Sequence, residues 1–305
     1  MNDQTMKNDR KTVVIAGATG YAGRFLVQEY AARGWHVVAL TRRRPTPEEE
    51  VPGVCWTVVQ VTDPSSIQGC MDGAHLVVSA LGITRQRDGL TYRDVDYQAN
   101  MNLLQEAMRA QVTHFCYIHV LNADQMLNAP GIKAKHDFVQ ELVRAAEEGK
   151  IRATVVAPSG FFSDMRDFLD MASQQGRVWL FGDGSNKINP IHGKDLARAT
   201  ADAVHAQRTQ LNIGGPDVYS HKELAELAFS CLNKHPKISF LWDGLRRFAL
   251  SILPWVTPPS ISGPGVFFLT AMGIPDMTGE SHGSQHLRDY YMELIKNEAK
   301  QTEGK

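Results

Sequence analysis

The sequence predicts an α/β protein with a doubly wound parallel sheet and a smaller C-terminal α+β lobe. Short runs rich in valine and isoleucine alternate with helical patterns over residues 12–206, and this alternation is typical of βαβ units around a parallel sheet. A glycine-rich turn joins the first such run to the first helical pattern. After Ala157 the alternation ends, and helical segments dominate from Ser220 onward, which predicts the separate lobe.

The elements of the predicted sheet follow one another closely between residues 12 and 157. The strands are short and apolar, as expected of parallel strands that are buried on both faces, and polar residues or glycine mark the ends of the helices. The predicted strands are Thr12–Gly17, Trp35–Thr41, Cys55–Gln60, His75–Leu81, Thr113–His119 and Ile151–Ala157, and the main helices between them are Tyr21–Arg33, Tyr92–Ala110 and Lys133–Glu148.

The second half of the chain contains a mixed set of predicted elements. Gly160–Gln175 is predicted as a helix, and the proline- and glycine-rich stretch Pro254–Pro264 is predicted as a loop. The remaining predicted strands are Arg177–Phe181 and Gln210–Ile213, and the remaining helices are Lys194–His205, Ser220–Leu232, Leu241–Leu253 and His286–Asn297.

The composition excludes several classes of protein. The 305 residues include 32 Lys+Arg and 33 Asp+Glu, a net charge of −1, whereas a general nucleic-acid binder needs a strong positive field. The four cysteines form no CxxC pair and the eleven histidines lack ligand spacing, so no metal site is predicted. No apolar leader begins the sequence, and no apolar run approaches the roughly 20 residues of a transmembrane helix. We therefore expect a cytoplasmic protein in a reducing compartment.

The strongest motif is Gly17-Ala18-Thr19-Gly20-Tyr21-Ala22-Gly23, which follows the first predicted strand and opens the first predicted helix. Glycine at these positions permits a tight turn, a close approach of backbone N–H groups to a pyrophosphate, and close packing of the helix on the strand. The N-terminus of the helix adds positive potential at the phosphates. In this strand–turn–helix context the motif predicts a dinucleotide-binding, Rossmann-type fold.

Three consecutive arginines, Arg42–Arg44, follow the second predicted strand. An acidic residue commonly binds the ribose hydroxyls of NAD at this place, whereas arginine suits the 2′-phosphate of NADP. Guanidinium groups bind phosphate through charge-assisted, often bidentate hydrogen bonds. The alternative is a solvated basic patch that Glu48–Glu50 balances. With the glycine turn upstream, we predict NADPH/NADP⁺ rather than NADH as the cofactor.

With these motifs the chain resembles the short-chain dehydrogenase/reductase superfamily, in the atypical branch that includes NmrA-like and divinyl-chlorophyllide-reductase-like proteins. The resemblance covers nearly the whole chain. It rests on GATGYAG at 17–23, VTDPSSI at 61–67, VVSALG at 77–82, VDYQANMNLLQEA at 95–107, HFCYIHV at 114–120, AKHDFVQEL at 134–142, VVAPSGFFSDM at 155–165, GRVWLFGDG…NPIHGKDLA at 176–197 and GSQHLRDYY at 283–291.

The resemblance implies a set of cofactor-binding residues. Lys135 lies where the superfamily's helix lysine binds the nicotinamide ribose and lowers the pKa of a proton donor. The other implied residues are Gly17, Thr19, Gly20, Tyr21, Ala22 and Gly23 at the pyrophosphate, Arg42 and Arg43 at the 2′-phosphate, Val61 at adenine, Ser79, Ala80, Leu81 and Gly82 along the ribose and phosphate, and Pro158, Ser159, Gly160 and Phe161 at the nicotinamide carboxamide.

Three positions depart from the catalytic pattern of the superfamily. The usual tyrosine, four residues before the lysine, is Gly131. The usual serine or threonine at the end of the fifth strand is His119, and the usual arginine before the proline of the sixth strand is Ala157. The Tyr–Lys proton-donor pair therefore does not carry over to this chain.

His119 and Lys135 remain as the candidate catalytic residues. His119 ends a parallel strand, where ligands bind in open α/β sheets, and an unperturbed histidine pKa near 6.5 suits proton transfer. The alternative for His119 is a hydrogen bond to the backbone with no chemical role. Tyr117 would lie on the same face of a regular strand, and we expect it in the core. Asp164 is predicted either to orient the substrate or to cap a helix.

The apolar group between residues 240 and 255 exceeds what a short surface helix requires, and Arg246 and Arg247 flank it. Three interpretations compete: core packing, a hydrophobic wall or lid over the substrate, and contact with an oligomeric partner or a membrane surface. The group consists of Phe240, Leu241, Trp242, Leu245, Phe248, Leu250, Ile252, Leu253 and Trp255, and Phe161, Phe162, Met165, Phe168, Leu169 and Met171 form a second apolar face upstream.

Together these features predict an NADPH-dependent reductase that transfers a hydride to a carbonyl or conjugated C=C bond of a hydrophobic small molecule, such as a ring compound. The proton would come from His119, Lys135 or water. The alternative is a non-catalytic NADP(H)-binding sensor or assembly factor of the NmrA-like type, which the missing tyrosine favours. The predicted domains are a cofactor-binding domain at 12–157 to which 188–214 returns, a substrate lobe at 158–300, and flexible tails at 1–11 and 298–305.

Overall fold

The computed structural model describes residues 10–83 and 89–303 of the chain. Its strands form one sheet of eight members and two smaller sheets. The strands are β1 (Thr12–Ala16), β2 (His36–Thr41), β3 (Cys55–Val58), β4 (Leu76–Ser79), β5 (His114–Ile118), β6 (Arg152–Pro158), β7 (Val178–Phe181), β8 (Lys187–Ile188), β9 (Gln210–Gly214), β10 (Tyr219–Ser220), β11 (Ile238–Leu241), β12 (Asp276–Met277) and β13 (Glu280–Ser281).

The helices include two π-helical segments, Arg93–Ala99 and Met171–Gln175, and a short 3₁₀ segment at Ala123–Met126. None of the helices in the described ranges is both long enough and apolar enough to cross a membrane. The α-helices are α1 (Tyr21–Ala32), α2 (Pro64–Ile67), α3 (Asn100–Arg109), α4 (Pro130–Glu147), α5 (Arg166–Asp170), α6 (Gly193–His205), α7 (His221–Cys231), α8 (Asp243–Val256), α9 (Pro259–Ala271) and α10 (Leu287–Glu303).

The large sheet has the strand order β3-β2-β1-β4-β5-β6-β9-β13. Its central strand, β1, pairs in parallel with both neighbours, so that Val14 lies opposite Val38 of β2 and Val77 of β4. The strand order reverses between β1 and β4, and the carboxyl ends of these two strands therefore flank the crevice in which open α/β sheets bind ligands. The predicted doubly wound parallel sheet is confirmed.

One face of this sheet carries the core that fixes the site. Leu103 of α3 and Phe138 and Leu142 of α4 pack in one buried cluster with Phe115 and Tyr117 of β5. Full burial of a leucine or phenylalanine side chain contributes about 1.5–3 kcal/mol, so this cluster holds α3 and α4 firmly on the sheet. That packing also positions the residues at the N-terminal ends of these two helices.

The chain separates into two compact units. The first contains the described residues up to His119 together with Pro130–Val156 and Ala197–Leu211. The second contains Val120–Ala129, Ala157–Leu196 and the described residues from Asn212 onward. These units are defined by packing alone, so the assignment of cofactor binding to 12–157 and substrate binding to 158–300 stays a prediction.

The predicted loop at Pro254–Pro264 is wrong, because α8 continues through Pro254 and α9 contains Pro264. Proline removes one backbone N–H and normally disfavours a helix interior, but packing between the two helices overrides that preference here. A Cβ built on Gly265 would lie 2.5 Å from Cδ2 of Leu253, so glycine permits the two helices to approach closely. Pro259 stands at the start of α9, where no intrahelical N–H bond is lost.

Two further boundaries differ from the predictions. The helix predicted at Gly160–Gln175 begins only at Arg166, because the N–H of Phe161 donates to the carboxylate of Asp164 at 3.0 Å and forms a turn first. The predicted flexible tail at 298–305 is helical as far as Glu303. The ion pair of Glu298 with Arg166, at 2.6 Å, ties this end of α10 to α5.

Candidate functional site

The turn between β1 and α1 is built without room for side chains. Gly17 has a φ of +76°, in the left-handed region that favours glycine. A Cβ built on Gly17 would lie 2.8 Å from the carbonyl oxygen of Ala80, and one built on Gly23 would lie 2.0 Å from the carbonyl oxygen of Gly17. The N–H of Gly20 donates to the carbonyl oxygen of Gly17 at 3.0 Å and closes the turn. Backbone therefore packs on backbone at the switch between β1 and β4.

The N-terminus of α1 suits an anion. Its first-turn N–H groups have no intrahelical acceptor, and Gly20, the residue before the helix, supplies no side-chain cap. The first turn also contains no acidic residue that would compete for these donors. Free N–H groups and the positive end of the helix dipole are what a pyrophosphate requires. Thr19 lies half-buried beside this terminus, and Tyr21 and Ala22 begin the helix.

The arginine cluster after β2 is exposed, and one of its members is already engaged. Arg43 donates two hydrogen bonds to the carboxylate of Glu49, at 2.7 and 2.8 Å, which is the bidentate geometry that guanidinium also uses for phosphate. This hydrogen bonding lowers the pKa of Glu49 to about 2. The hydroxyl of Thr41 donates to the carbonyl oxygen of Arg43 at 2.8 Å and fixes the turn. A phosphate at Arg43 would compete with Glu49, while Arg42 lies exposed beside them.

Val61 and the end of β4 are held by a network of amide side chains. Val61 is buried, and its carbonyl oxygen accepts a hydrogen bond from Nδ2 of Asn102 at 3.0 Å. The buried hydroxyl of Ser79 donates to Oδ1 of Asn100 at 2.5 Å. The N–H of Leu81 donates back to Oγ of Ser79 at 3.3 Å. These contacts fix the backbone that leaves β4.

Lys135 of α4 reaches the end of β4 and forms an ion pair there. Its Nζ donates to the carbonyl oxygen of Leu81 at 3.1 Å and lies 2.9 Å from Oδ1 of the buried Asp96. Burial opposes the charge of Lys135, but the carboxylate of Asp96 outweighs this effect and raises the pKa of Lys135 above its ordinary value. A Cβ built on Gly82 would lie 2.2 Å from Nζ, so glycine makes room for the pair. Lys135 is therefore a fixed positive charge at the crevice.

His119 and Tyr117 lie next to this charge, and both are buried. Burial lowers the pKa of His119 to about 3, and the charge of Lys135 adds to the effect. Burial also raises the pKa of Tyr117 to about 12. Within the described part of the chain, Nδ1 of His119 has no hydrogen-bond partner, whereas the hydroxyl of Tyr117 interacts with Lys135. Because buried polar atoms usually have partners, Nδ1 of His119 fits a polar ligand group near Lys135.

The place of the superfamily's tyrosine is filled from another segment. Gly131 stands four residues before Lys135, and a Cβ built on it would lie 3.0 Å from Cδ1 of Tyr92. The buried ring of Tyr92 therefore packs directly on Gly131. Tyr92 immediately precedes the π-helical segment that contains Asp96. Burial, and then the charge of Asp96, raise the pKa of Tyr92, so its phenol is protonated at neutral pH.

The predicted nicotinamide segment, Pro158–Phe161, begins at the end of β6 in the second unit. Ser159 is buried, and its hydroxyl donates to the carbonyl oxygen of Asn189 at 2.6 Å. The N–H of Ser159 donates to the carbonyl oxygen of Ile213 at 2.9 Å. Asp164 accepts the N–H of Phe161 and closes a turn before α5, whose N-cap, Met165, has no side-chain cap; a role of Asp164 toward the substrate stays a prediction. The contact of this segment with nicotinamide stays a prediction.

Two cavities of the described structure lie away from this edge of the sheet. Between residues 10–83 and 89–303, no group of three His, Cys, Asp or Glu side chains is placed to hold a metal ion. One cavity of about 340 Å³ lies between α2 and α3 and includes Arg109. A second, of about 500 Å³, is lined by His75 and Thr113 at the amino ends of β4 and β5. Neither lies at the carboxyl ends of the strands, where such sheets bind ligands.

Asp96 and Tyr92 are the two site residues that the sequence analysis missed. Asp96 had a signal, because it is a carboxylate in an apolar helical pattern and Asn100 repeats the polar position four residues later. Tyr92 had none, because its contact is with Gly131, which is distant in the sequence. The structure brings Ser79–Gly82 and Lys135 together, as a shared site requires.

The strand order and the glycine turn define a Rossmann-type fold, the architecture of NAD(P)-binding proteins. Residues 9–230 match the model of the NmrA-like family, and the chain belongs to this family. The resemblance on which the sequence analysis relied is therefore confirmed.

Individual relatives differ in what they are named for. The chain is 30% identical over 243 residues to the chloroplastic divinyl chlorophyllide a 8-vinyl-reductase of Zea mays. The matched region includes 74% of this chain but only 60% of the maize protein. It is 26% identical over 232 residues to the photosystem II assembly factor Ycf39 of Trieres chinensis, over 75% of this chain and 71% of that one.

A solved structure shares the fold. The NADPH-dependent quinone oxidoreductase of Escherichia coli, complexed with NADPH, matches 93% of this chain and 99% of its own with a TM-score of 0.68 and 15% identity. At this identity the likeness shows the fold alone. The relatives thus include both reductases and assembly factors.

Proposed function

We propose that this protein is an NADPH-dependent reductase that reduces a carbonyl or conjugated C=C bond of a hydrophobic small molecule, such as a ring compound. One observation carries the proposal: the glycine turn after β1 and the Lys135–Asp96 pair lie at the ends of neighbouring strands. The name of the maize relative, a reductase, supports the reaction class.

The residues that would hold NADPH lie in the glycine turn after β1, in the exposed arginine cluster after β2 and at the end of β4. The turn offers backbone donors to the pyrophosphate, and the arginines offer charge to the 2′-phosphate. The residues proposed for this task are Gly17, Thr19, Gly20, Tyr21, Ala22, Gly23, Arg42, Arg43, Val61, Ala80, Leu81, Gly82 and Lys135, with Pro158, Ser159, Gly160 and Phe161 at the carboxamide.

When bound, NADPH would supply the hydride, and the chain's own residues would orient the reactants. Asp96 keeps the ammonium of Lys135 charged, so Lys135 would donate hydrogen bonds to the cofactor ribose and retain its proton. His119 is neutral at pH 7, because burial lowers its pKa to about 3. Neither group is suited to release a proton at neutral pH.

We assign proton delivery instead to Tyr92. Its ring packs on Gly131, at the position from which the superfamily's tyrosine would project, and its phenol is protonated at neutral pH. Asp96 lies close enough to influence both Tyr92 and Lys135. The three side chains therefore form one electrostatic group, which is the arrangement that a proton donor beside a cofactor lysine requires.

Two measurements test this function. Fluorescence titration of the purified protein with NADPH and NADH should show tighter binding of NADPH, and NADPH oxidation should follow with quinones, enones or ketones. Tyr92→Phe should lower kcat about a hundredfold and leave the Kd of NADPH unchanged. Tyr97→Phe is the matched control, because Tyr97 lies five residues further along, inside the π-helical segment, and stacks on Arg93; its kcat should not change. Failure to bind either dinucleotide would refute the proposal.

A second candidate is a non-catalytic NADP(H)-binding assembly factor. Gly131 in place of the tyrosine favours it, and so does the name of the Trieres chinensis relative. This alternative expects tight NADPH binding, no turnover with any substrate class, and a protein partner whose capture differs between NADP⁺ and NADPH. The reductase proposal expects turnover. It also expects that the Tyr92→Phe variant captures any such partner as well as the wild type does.

A further inference from the structure

The hairpin of α8 and α9 presents large apolar side chains to solvent. Trp255 is 88% exposed, Trp242 is 82% exposed and Phe248 is 61% exposed. Scattered exposed apolar residues are ordinary, but several large apolar side chains exposed along one helical hairpin indicate an interaction surface. We call Trp242, Leu245, Phe248, Trp255, Val256 and Ile261 the α8–α9 patch.

The patch follows the geometry of the helix. Leu245, Phe248 and Trp255 recur at helical spacing, so they form one stripe along α8. The opposite side of α8 carries Arg246, which is buried, pairs with Asp243 at 2.6 Å and donates to the carbonyl oxygen of Leu269 at 2.9 Å. The apolar stripe therefore faces outward while a charged anchor faces inward, the reverse of an ordinary surface helix.

The charge around the patch favours one kind of partner. Residues 244–275 contain two arginines and no Asp, Glu or Lys. Arg247 is largely exposed at the border of the stripe and pairs with Asp243 at 2.8 Å. The exposed Lys234 and Lys237 precede the hairpin. Together, residues 234–275 include Lys234, Lys237, Arg246 and Arg247 against one carboxylate, Asp243. An apolar surface in a segment with this excess of positive charge complements an anionic lipid surface.

We propose that the α8–α9 patch docks on the surface of an anionic lipid bilayer, with both helices lying in the interface. Tryptophan is enriched at the level of lipid headgroups, and Trp242 and Trp255 stand at the two ends of α8. A second copy of the chain fits less well, because self-association would bring two segments together that each carry the exposed Arg247 and, over residues 244–275, no acidic residue. Docking on lipid does not require reductase activity.

Vesicle flotation tests the docking. The full-length protein is mixed with phosphatidylcholine vesicles with and without phosphatidylglycerol, at low and high salt, and tryptophan emission is recorded in parallel. We expect the protein to float with the anionic vesicles, to float less at high salt, and to show blue-shifted emission on binding.

Variants locate the contact. The pair Phe248→Ser with Trp255→Ser should weaken vesicle binding at least about tenfold, because two exposed apolar side chains lose their transfer into the interface. Trp179→Ser is the matched control, since Trp179 is an aromatic residue of β7 that is 46% exposed outside the patch. Its binding should equal that of the wild type. Circular dichroism confirms that each variant is folded.

Three results would overturn the proposal. Folded wild-type protein that stays below the anionic vesicles at low salt excludes lipid docking. Equal flotation of the double variant and the wild type places the contact elsewhere. A dimer that light scattering detects and Trp255→Ser dissociates, without flotation, assigns the patch to a second copy.

Discussion

Replacing Asp96 by asparagine should expose the energetics of the site. The carboxylate is buried 2.9 Å from Nζ of Lys135, which also donates to the carbonyl oxygen of Leu81. Removing one partner of a buried ion pair costs about 3–5 kcal/mol, because the other charge is left unpaired. Asparagine keeps the shape of the side chain, so we expect a loss of about 3 kcal/mol, at the lower end of that range. At about 2–4 °C per kcal/mol, the melting temperature should fall by about 6–12 °C.

A double-mutant cycle separates the pair from its surroundings. Asp96→Asn combined with Lys135→Met removes both charges, and we expect the double variant to recover at least about 2 kcal/mol relative to the sum of the single variants. The exposed pair of Lys133 and Asp137, at 3.0 Å on the same helix, is the matched control. The corresponding cycle there should give a coupling of about 0.3–0.5 kcal/mol. Urea unfolding followed by circular dichroism measures all variants.

The pH dependence provides the refuting result. The raised pKa of Lys135 means that its stabilising contribution is complete below the ordinary lysine pKa of about 10.4 and is lost only as pH rises through its higher folded value. In Asp96→Asn the carboxylate no longer opposes burial, which is the largest influence on Lys135 and lowers its pKa, so the stability of this variant should increase from pH 7.5 to 10. Additive single variants and a flat pH profile would show that the two side chains are not coupled.

The other predictions concern cofactor binding and acid stability. Gly23→Ala should weaken NADPH binding about a hundredfold, or about 2.7 kcal/mol, because its Cβ would lie 2.0 Å from the carbonyl oxygen of Gly17. Gly20→Ala should weaken binding less in the same fluorescence titration, because its Cβ would lie 3.2 Å from that oxygen. Glu49→Gln should free Arg43 and tighten NADPH binding about threefold without changing NADH binding, and an equal change for NADH would place Arg43 away from the 2′-phosphate. The folded pKa of His119, about 3, is below the unfolded value of about 6.5, so its contribution to stability is lost as pH falls through this window. His119→Phe should therefore reduce the slope of unfolding free energy against pH by about 1.4 kcal/mol per pH unit between about pH 4 and 6, measured by urea unfolding.

The sheet could be predicted because its signals are local. The strands β1, β4 and β5 are apolar runs with punctuated ends, and the parallel arrangement follows from the helices between them. The region of Pro254–Pro264 was mispredicted for the opposite reason. There the local preference of proline is overridden by contact between Leu253 and Gly265, which joins two helices, and the composition of the segment gives no sign of that contact.

The candidate site likewise combines a local sequence motif with a contact between distant segments. The glycine turn is a contiguous motif, and the clash of Cβ atoms at Gly17 and Gly23 is the physical constraint that the motif represents. The ion pair of Lys135 with Asp96 joins α4 to the π-helical segment before α3. No spacing rule connects these residues, so only the packing of both elements on the sheet brings their charges together.

The buried ion pair also bears on the missing tyrosine. Replacing such a pair by apolar side chains of similar volume is often neutral or stabilising, so stability alone does not explain a lysine–carboxylate pair at the end of β4. A fixed positive charge at the ligand-binding edge of the sheet does explain it, because that charge acts on a bound anion or a developing one. This role needs no tyrosine at Gly131, and both the reductase and the assembly factor would use it. Among the described residues, the phenol that packs at the tyrosine's place is that of Tyr92, so we expect Tyr92→Phe to separate the two functions.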